Sequence, residues 1–163
     1  EDVVGVELAG AREKGMAIAA GACPGLGLGA NAIAARITRG LAEMSRLALA
    51  LGARAETLSG LAGLGDLVLT CTGALSRNRQ LGIELGKGRP LKELLASTRM
   101  VAAGVRTAGA LRAWAGHHHI ELPTTAPVEA ILHTGRAPRE ARPVIVASPT
   151  TPEKEPGPRP AGR

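Results

Sequence analysis

Between Asp66 and Arg79 the chain sets one carboxylate, hydroxyls at Thr70, Thr72 and Ser76, the amide of Asn78 and the guanidinium groups of Arg77 and Arg79. A guanidinium is a planar fork that offers two parallel hydrogen bonds to a phosphate or carboxylate. Asp66 follows Gly63-Leu-Gly65 and precedes the apolar run Leu67-Val-Leu69. A charge in that setting requires a partner or a function. Asp66 and Thr70 are four residues apart, which puts both on one face of a helix. Ser76 has the type and place of an N-cap, and the helix it opens leaves backbone N–H groups for an anion. Together these groups suit a small polyol phosphate. A capped helix with solvated arginines fits the same spacing, and spacing alone does not separate the two.

The elements that must position these residues are helical. Residues 3–21 are rich in Val, Leu, Ala and Gly and predict a buried helix, with Gly5, Gly10 and Gly15 permitting close approach or bending. Residues 22–30 predict a Gly-rich turn. Ile33, Ile37, Leu41, Met44, Ala48 and Leu51 then step by three and four, the stripe of an amphipathic helix that Gly52 ends. Arg36, Arg39, Glu43 and Arg46 fall largely off that stripe. Shorter helices are predicted over 55–61, 65–72, 77–86, 90–97, 104–117 and 125–134. No run of alternating β-branched residues predicts a strand, so the fold class is all-α. Six prolines from Pro143 onward and no helical period predict a disordered tail over 143–163, behind a helical domain over 1–142.

Composition narrows the function. The chain has 163 residues, the size of one ordinary domain. It contains no Phe and no Tyr, and Trp114 is its single aromatic, so Leu, Ala, Ile, Val and Met must build the core. The formal net charge is +6. Half of it lies in residues 136–163, with six Arg and Lys against three Glu, and reads as a solvated tail. A nucleic-acid surface would combine a clustered basic face with stacking aromatics; nucleic acid is therefore not an expected partner. Cys23 and Cys71 form no CxxC or zinc pattern and point to a reducing, cytoplasmic setting. No apolar stretch reaches the roughly 20 residues that would insert in a membrane. Adjacent residues His117, His118 and His119 point in different directions on a helix and read as a solvated helix end rather than a metal site. Gly25-Leu-Gly-Leu-Gly29 lacks both the GxGxxG spacing and a preceding strand, so it reads as a turn between helices. The chain opens on Glu1 with neither Met nor a signal sequence, like a piece of something longer.

Several segments carry a resemblance. They are Asp2-Val-Val-Gly-Val-Glu-Leu-Ala-Gly-Ala11, Ala17-Ile-Ala-Ala-Gly21, Gly27-Leu-Gly-Ala-Asn31, Ile37-Thr-Arg-Gly-Leu-Ala-Glu-Met44, Gly60-Leu-Ala-Gly-Leu-Gly-Asp-Leu67, Thr70-Cys-Thr72 and Ser76-Arg-Asn-Arg79. From residue 2 to about 141 the chain resembles the C-terminal, substrate-binding domain of the bacterial NAD(P)-dependent sn-glycerol-3-phosphate dehydrogenases. The resemblance implies a multi-helix domain of the 6-phosphogluconate dehydrogenase C-terminal-like type. It also implies that an N-terminal Rossmann domain, absent from this chain, holds most of the NAD or NADP. The implied reaction interconverts dihydroxyacetone phosphate and sn-glycerol 3-phosphate, a phospholipid precursor. A homodimer is a possible assembly.

The resemblance assigns substrate contacts to Asp66, Thr70, Ser76, Arg77 and Asn78, with Asp66 also beside the chemistry and Arg77 reaching the cofactor. It places the catalytic lysine in a Gly-Ala-x-Lys-Asn segment. Here that segment reads Gly10-Ala11-Arg12-Glu13-Lys14, so Glu13 takes the lysine's position and Lys14 is a displaced substitute about 100° around the helix. A lysine there would exchange a proton with the carbonyl oxygen. A glutamate repels an anion, and beside Asp66 it raises a carboxyl pKa. In Val101-Ala-Ala-Gly104, Val101 matches a cofactor-side segment while Ala103 stands where a glutamate is usual. The isolated chain is expected to be inactive as a dehydrogenase. The alternative is a catalytically dead helical module that serves only packing or dimerisation.

Overall fold

The structure is a computed structural model that describes residues 1–96, 109, 113, 115–116 and 122–124. Val101, Ala103, Trp114, His117, His118, His119 and the 143–163 tail lie outside the described residues, as does the helix expected over 125–134. Within the span 104–117, Gly109, Ala113, Ala115 and Gly116 are helical.

Within residues 1–96 six α-helices run in order: α1 (Val3–Gly25), α2 (Ala30–Ala50), α3 (Ala55–Ser59), α4 (Asp66–Thr72), α5 (Arg77–Gly86) and α6 (Leu91–Ala96), with one π-helical turn (Leu61–Gly65) between α3 and α4. No strand occurs among the described residues. No helix among them is long and apolar enough to cross a membrane.

α1 is the spine. From Gly15 to Cys23 every residue is buried, the behaviour of a helix apolar on all sides. One flank, Ile18, Ala19, Ala22 and Cys23, packs on Leu81 and Leu85 of α5 and Leu94 of α6. The other, Ala9, Met16, Ala17 and Ala20, packs on Met44 and Ala48 of α2, Leu58 of α3 and Leu67 and Cys71 of α4. The Asp2 carboxylate starts the helix by accepting from Gly5 N–H at 2.9 Å and from Arg54 N–H at 2.8 Å, which ties α1 to the start of α3.

α1 and α5 meet backbone to backbone. A Cβ on Gly21 would strike the Arg79 carbonyl, and one on Gly82 would strike the Ile18 carbonyl. This backbone contact sits at the far end of α1; a Cβ on Gly5 would crowd the side chains of Asp2 and Thr57, while at Gly10 nothing lies within 4 Å. The same packing explains why α1 continues through Pro24 to Gly25, four residues past the predicted end at 21. Ala22 and Cys23 are buried against α5, and Leu26 N–H closes the helix on Ala22 O and Cys23 O.

α2 ends as predicted, at Gly52 with φ 80°. Its buried face differs from the predicted stripe. Arg36, Gly40, Glu43 and Leu47 are buried, whereas Leu51 is exposed. The reason is a polar network: Arg12 Nη2 donates to Glu43 Oε2 at 2.7 Å, Thr124 N–H donates to Glu43 Oε1 at 2.5 Å, and Arg36 Nη1 donates to Thr124 O at 2.8 Å. Charges that would otherwise face water are paired inside, which burial demands. α3 stops at Ser59, two residues before the predicted end, because the π-turn follows at once.

The α1–α5 contact yields a stability test. Gly82→Ala puts a methyl group into a backbone carbonyl that cannot move without shifting a helix. The expected loss is about 3 kcal/mol. Denaturant unfolding of the variant beside Gly10→Ala, whose Cβ meets open space, measures it; Gly10→Ala is expected to hold or gain stability.

Candidate functional site

The Gly-rich segment before Asp66 folds as the π-turn. Gly65 N–H donates to Gly60 O at 3.1 Å, a five-residue closure. Single π-turns within helical segments recur at functional sites. Gly63 makes this turn possible, because a Cβ there would overlap the Leu58 backbone. The turn delivers Asp66 as the first residue of α4, half-buried, one helical turn before half-buried Thr70.

Both residues face Glu13 of α1. Thr70 Oγ1 donates to Glu13 Oε2 at 3.5 Å, a long bond. Burial first, then Asp66 as bonding partner and as like charge, push the Glu13 carboxyl from its ordinary 4.5 up to about 7. Lys14, the next residue on α1, and the Thr70 hydroxyl pull the other way and do not offset this. Cys71 lies buried in the same region. Burial, with the Glu13 charge second, pushes its thiol up to about 12, against the smaller opposing effect of Arg79. It is an inert thiol.

Ser76 caps α5, its hydroxyl accepting from Arg79 N–H at 3.2 Å. Arg77 and Asn78 are the first two residues of α5, Arg77 exposed and Asn78 half-buried. α5 rests on α1 at Gly21, eight residues beyond Glu13, or about 12 Å along the axis. Contacts thus gather Glu13, Asp66 and Thr70 into one group, with Ser76, Arg77 and Asn78 farther along the same helix. Cys71 lies within electrostatic reach of both Glu13 and Arg79. The arrangement can hold a proton at Glu13, while a capped helix start and an arginine suit an anion.

The Arg12–Glu43 pair is what sequence reasoning missed. Both side chains are about 2% exposed. Arg36 and Glu43 are seven residues apart, two helical turns on one face, and that spacing was the available signal. Among the described residues no group of three or more His, Cys, Asp or Glu is placed to hold a metal ion.

A family model described as the NAD-dependent glycerol-3-phosphate dehydrogenase C-terminus matches residues 2–142. A Koribacter versatilis protein named glycerol-3-phosphate dehydrogenase (NAD(P)+) is 56% identical over 153 residues, covering 93% of this chain and 45% of that protein. An Oleidesulfovibrio alaskensis protein of the same name is 57% identical over 140 residues, covering 86% of the chain and 42% of the relative. The crystal structure of a Coxiella burnetii glycerol-3-phosphate dehydrogenase superposes with a TM-score of 0.85 at 46% identity, over 90% of this chain and 45% of that one. The chain spans less than half the length of the curated relatives it matches.

The raised Glu13 carboxyl has a consequence for stability. The folded group keeps its proton up to about 7, whereas the unfolded group releases it near the ordinary carboxylate range. Its stabilising contribution is therefore complete below about 4.5 and is lost as pH rises through 7. Between pH 5 and 8 the melting temperature should fall by a few degrees, about 1 kcal/mol after discounting for the half-exposed position. In Glu13→Gln that part of the decline should vanish, as read from thermal unfolding across pH.

Proposed function

This chain belongs to the family of NAD-dependent glycerol-3-phosphate dehydrogenase C-terminal domains, and we propose that it is the substrate-binding part of an enzyme interconverting dihydroxyacetone phosphate and sn-glycerol 3-phosphate. The observation that carries this reading is the convergence of Asp66 and Thr70 on position 13 of α1. The capped start of α5, with Ser76, Arg77 and Asn78, lies farther along the same helix. In this reading the phosphate binds at α5, where N–H groups and Arg77 meet its charge. The polyol carbons extend toward Asp66 and Thr70. The product is a precursor of phospholipids, and the two free thiols, Cys23 and Cys71, fit a cytoplasmic protein.

A nicotinamide cofactor would supply or accept the hydride. Gly25-Leu-Gly-Leu-Gly29 connects two helices rather than a strand and a helix, so the described residues offer no dinucleotide cradle. NAD or NADP is proposed to rest mainly on a domain outside this chain. Arg77, and beyond the described residues the segment holding Val101 and Ala103, would approach it from this side. The chain's own task is then to hold the phosphate ester, orient its carbonyl and manage a proton at position 13.

Glu13 favours a second reading. A carboxyl group stands where the resemblance implies a lysine, and it opposes an anionic substrate. The chain would then be a helical module kept for packing or for a homodimer.

Calorimetric titration with sn-glycerol 3-phosphate separates the readings. Binding weakened at least ten-fold by Arg77→Ala is expected, the size of a charge-assisted bond. Glu13→Lys is expected to tighten it by a similar factor, by exchanging repulsion for attraction. Absent binding in both the native chain and Glu13→Lys would leave the packing module. The isolated chain is expected to show no NAD(P)H-dependent turnover of dihydroxyacetone phosphate.

A further inference from the structure

We propose that Arg12 and Glu43 are positioning residues: their buried ion pair sets how the first half of α1 is turned about its axis, and so aims residue 13 at Thr70 of α4. The inference rests on the site reading above and adds to it two residues that touch no ligand themselves.

α1 is held differently along its length. From Gly15 to Cys23 every residue is buried. From Val3 to Lys14 only Gly5, Ala9 and Arg12 are buried, and Val3, Val4 and Val6 are exposed. The apolar grip on this half is Ala9 and half-buried Leu8. Gly10 and Gly15 bracket residues 11–14, so the backbone ladder by itself leaves that turn soft. The other anchors are polar and directional. At the start, Asp2 accepts from Gly5 N–H and Arg54 N–H. Beside the site, Arg12 Nη2 donates to Glu43 Oε2 at 2.7 Å, with both side chains about 2% exposed.

Glu43 is a fixed point, because it cannot follow if α1 turns. Its second oxygen accepts from Thr124 N–H, and Arg36 Nη1 holds the Thr124 carbonyl at 2.8 Å. Its neighbours Met44 and Leu47 are buried. A buried ion pair adds little net stability over apolar side chains of similar volume; its best-attested use is to fix register. Residue 13 inherits that register. Arg12 and Glu13 are consecutive and project about 100° apart, one toward α2 and the other toward α4. Helical Cα atoms lie about 2.3 Å from the axis, so a turn of about 30° moves a Cα by about 1 Å and a side-chain tip, nearly three times as far out, by about 3 Å. Thr70 Oγ1 is already 3.5 Å from Glu13 Oε2, and a shift of that size parts them.

The test cuts the tie in two ways in the 163-residue chain. Arg12→Met removes it and strands the Glu43 charge. Arg12→Met with Glu43→Gln removes both charges, leaves the net charge unchanged and keeps an acceptor for Thr124 N–H. Nuclear Overhauser contacts read where residue 13 points. The native chain should show contacts between the Glu13 side chain and the Thr70 methyl group. Whichever variant folds should lose most of them, while contacts within the cluster of Ile18, Leu81 and Leu85 stand. Undiminished Glu13–Thr70 contacts in a folded variant overturn the proposal. Failure of both variants to fold makes the pair a brace for stability and overturns it as well.

Calorimetric titration with sn-glycerol 3-phosphate gives the functional measure. Glu13→Lys should tighten binding about ten-fold in the native background and less than about three-fold in the background of Arg12→Met with Glu43→Gln, because a side chain that is not aimed cannot use its charge. Equal gains in the two backgrounds overturn the positioning role and leave the site reading standing. Absence of binding in every chain overturns the site reading, and the Overhauser contacts then decide the role of the pair.

Discussion

The structure depends on backbone meeting backbone between α1 and α5. At Gly21 the Arg79 carbonyl occupies the space of a missing side chain, and at Gly82 the Ile18 carbonyl does the same. A core without Phe or Tyr gains little area from each side chain. It reaches native density by bringing helices closer instead. The contact also fixes where α5 begins. Ser76, Arg77 and Asn78 are carried to a set height on α1, and the opposite flank of α1 is left for α2, α3 and α4.

Consecutive residues of α1 show two solutions to a charge in a packed helix. Arg12 and Glu13 point about 100° apart. Arg12 turns to α2 and meets Glu43, whose second oxygen accepts from Thr124 N–H, so the charge is neutralised and the carboxylate is satisfied. Glu13 turns to α4 and meets another carboxyl. Burial and that second carboxyl push the Glu13 pKa up. The first arrangement locks α1, α2 and the 122–124 segment together. The second leaves a half-buried carboxyl with a raised pKa in the seam between α1 and α4.

Much of this was legible in the residues. Helix periodicity gave α2, and its stop at Gly52 carries the positive φ that such an end requires. Ser76 read as an N-cap and is one. That a glutamate at position 13 beside Asp66 would have a raised pKa followed from the ungapped comparison with a known family, and the direction of the Glu13 shift agrees with it. What was not legible depends on contacts between distant segments. The extension of α1 through Pro24 comes from packing on α5, and Pro24 alone argues for a stop. Arg36 and Glu43 fell off the stripe because a stripe counts apolar side chains, and a buried polar network breaks that rule without a trace in composition. The π-turn was invisible because Gly60 to Gly65 fits many loops, and its form is decided by the Leu58 backbone against Gly63.

Position 13 separates the fold from the chemistry. Its side chain belongs to neither of the two large apolar clusters, while its neighbours Ala9, Met16 and Ala17 hold α1 in place. A residue so placed can change charge without changing the scaffold, because the energy of the fold resides in the buried flanks and not in the half-open seam between α1 and α4. That is why a chain can keep high identity to dehydrogenases and a close structural match while carrying the opposite charge at the position to which the resemblance gives the proton. The scaffold imposes only that whatever stands at 13 must face Asp66. A lysine there would face an opposite charge across the seam, whereas a glutamate meets a like charge that pushes its pKa up, so the same two helices turn one substitution into a reversal of the local electrostatics.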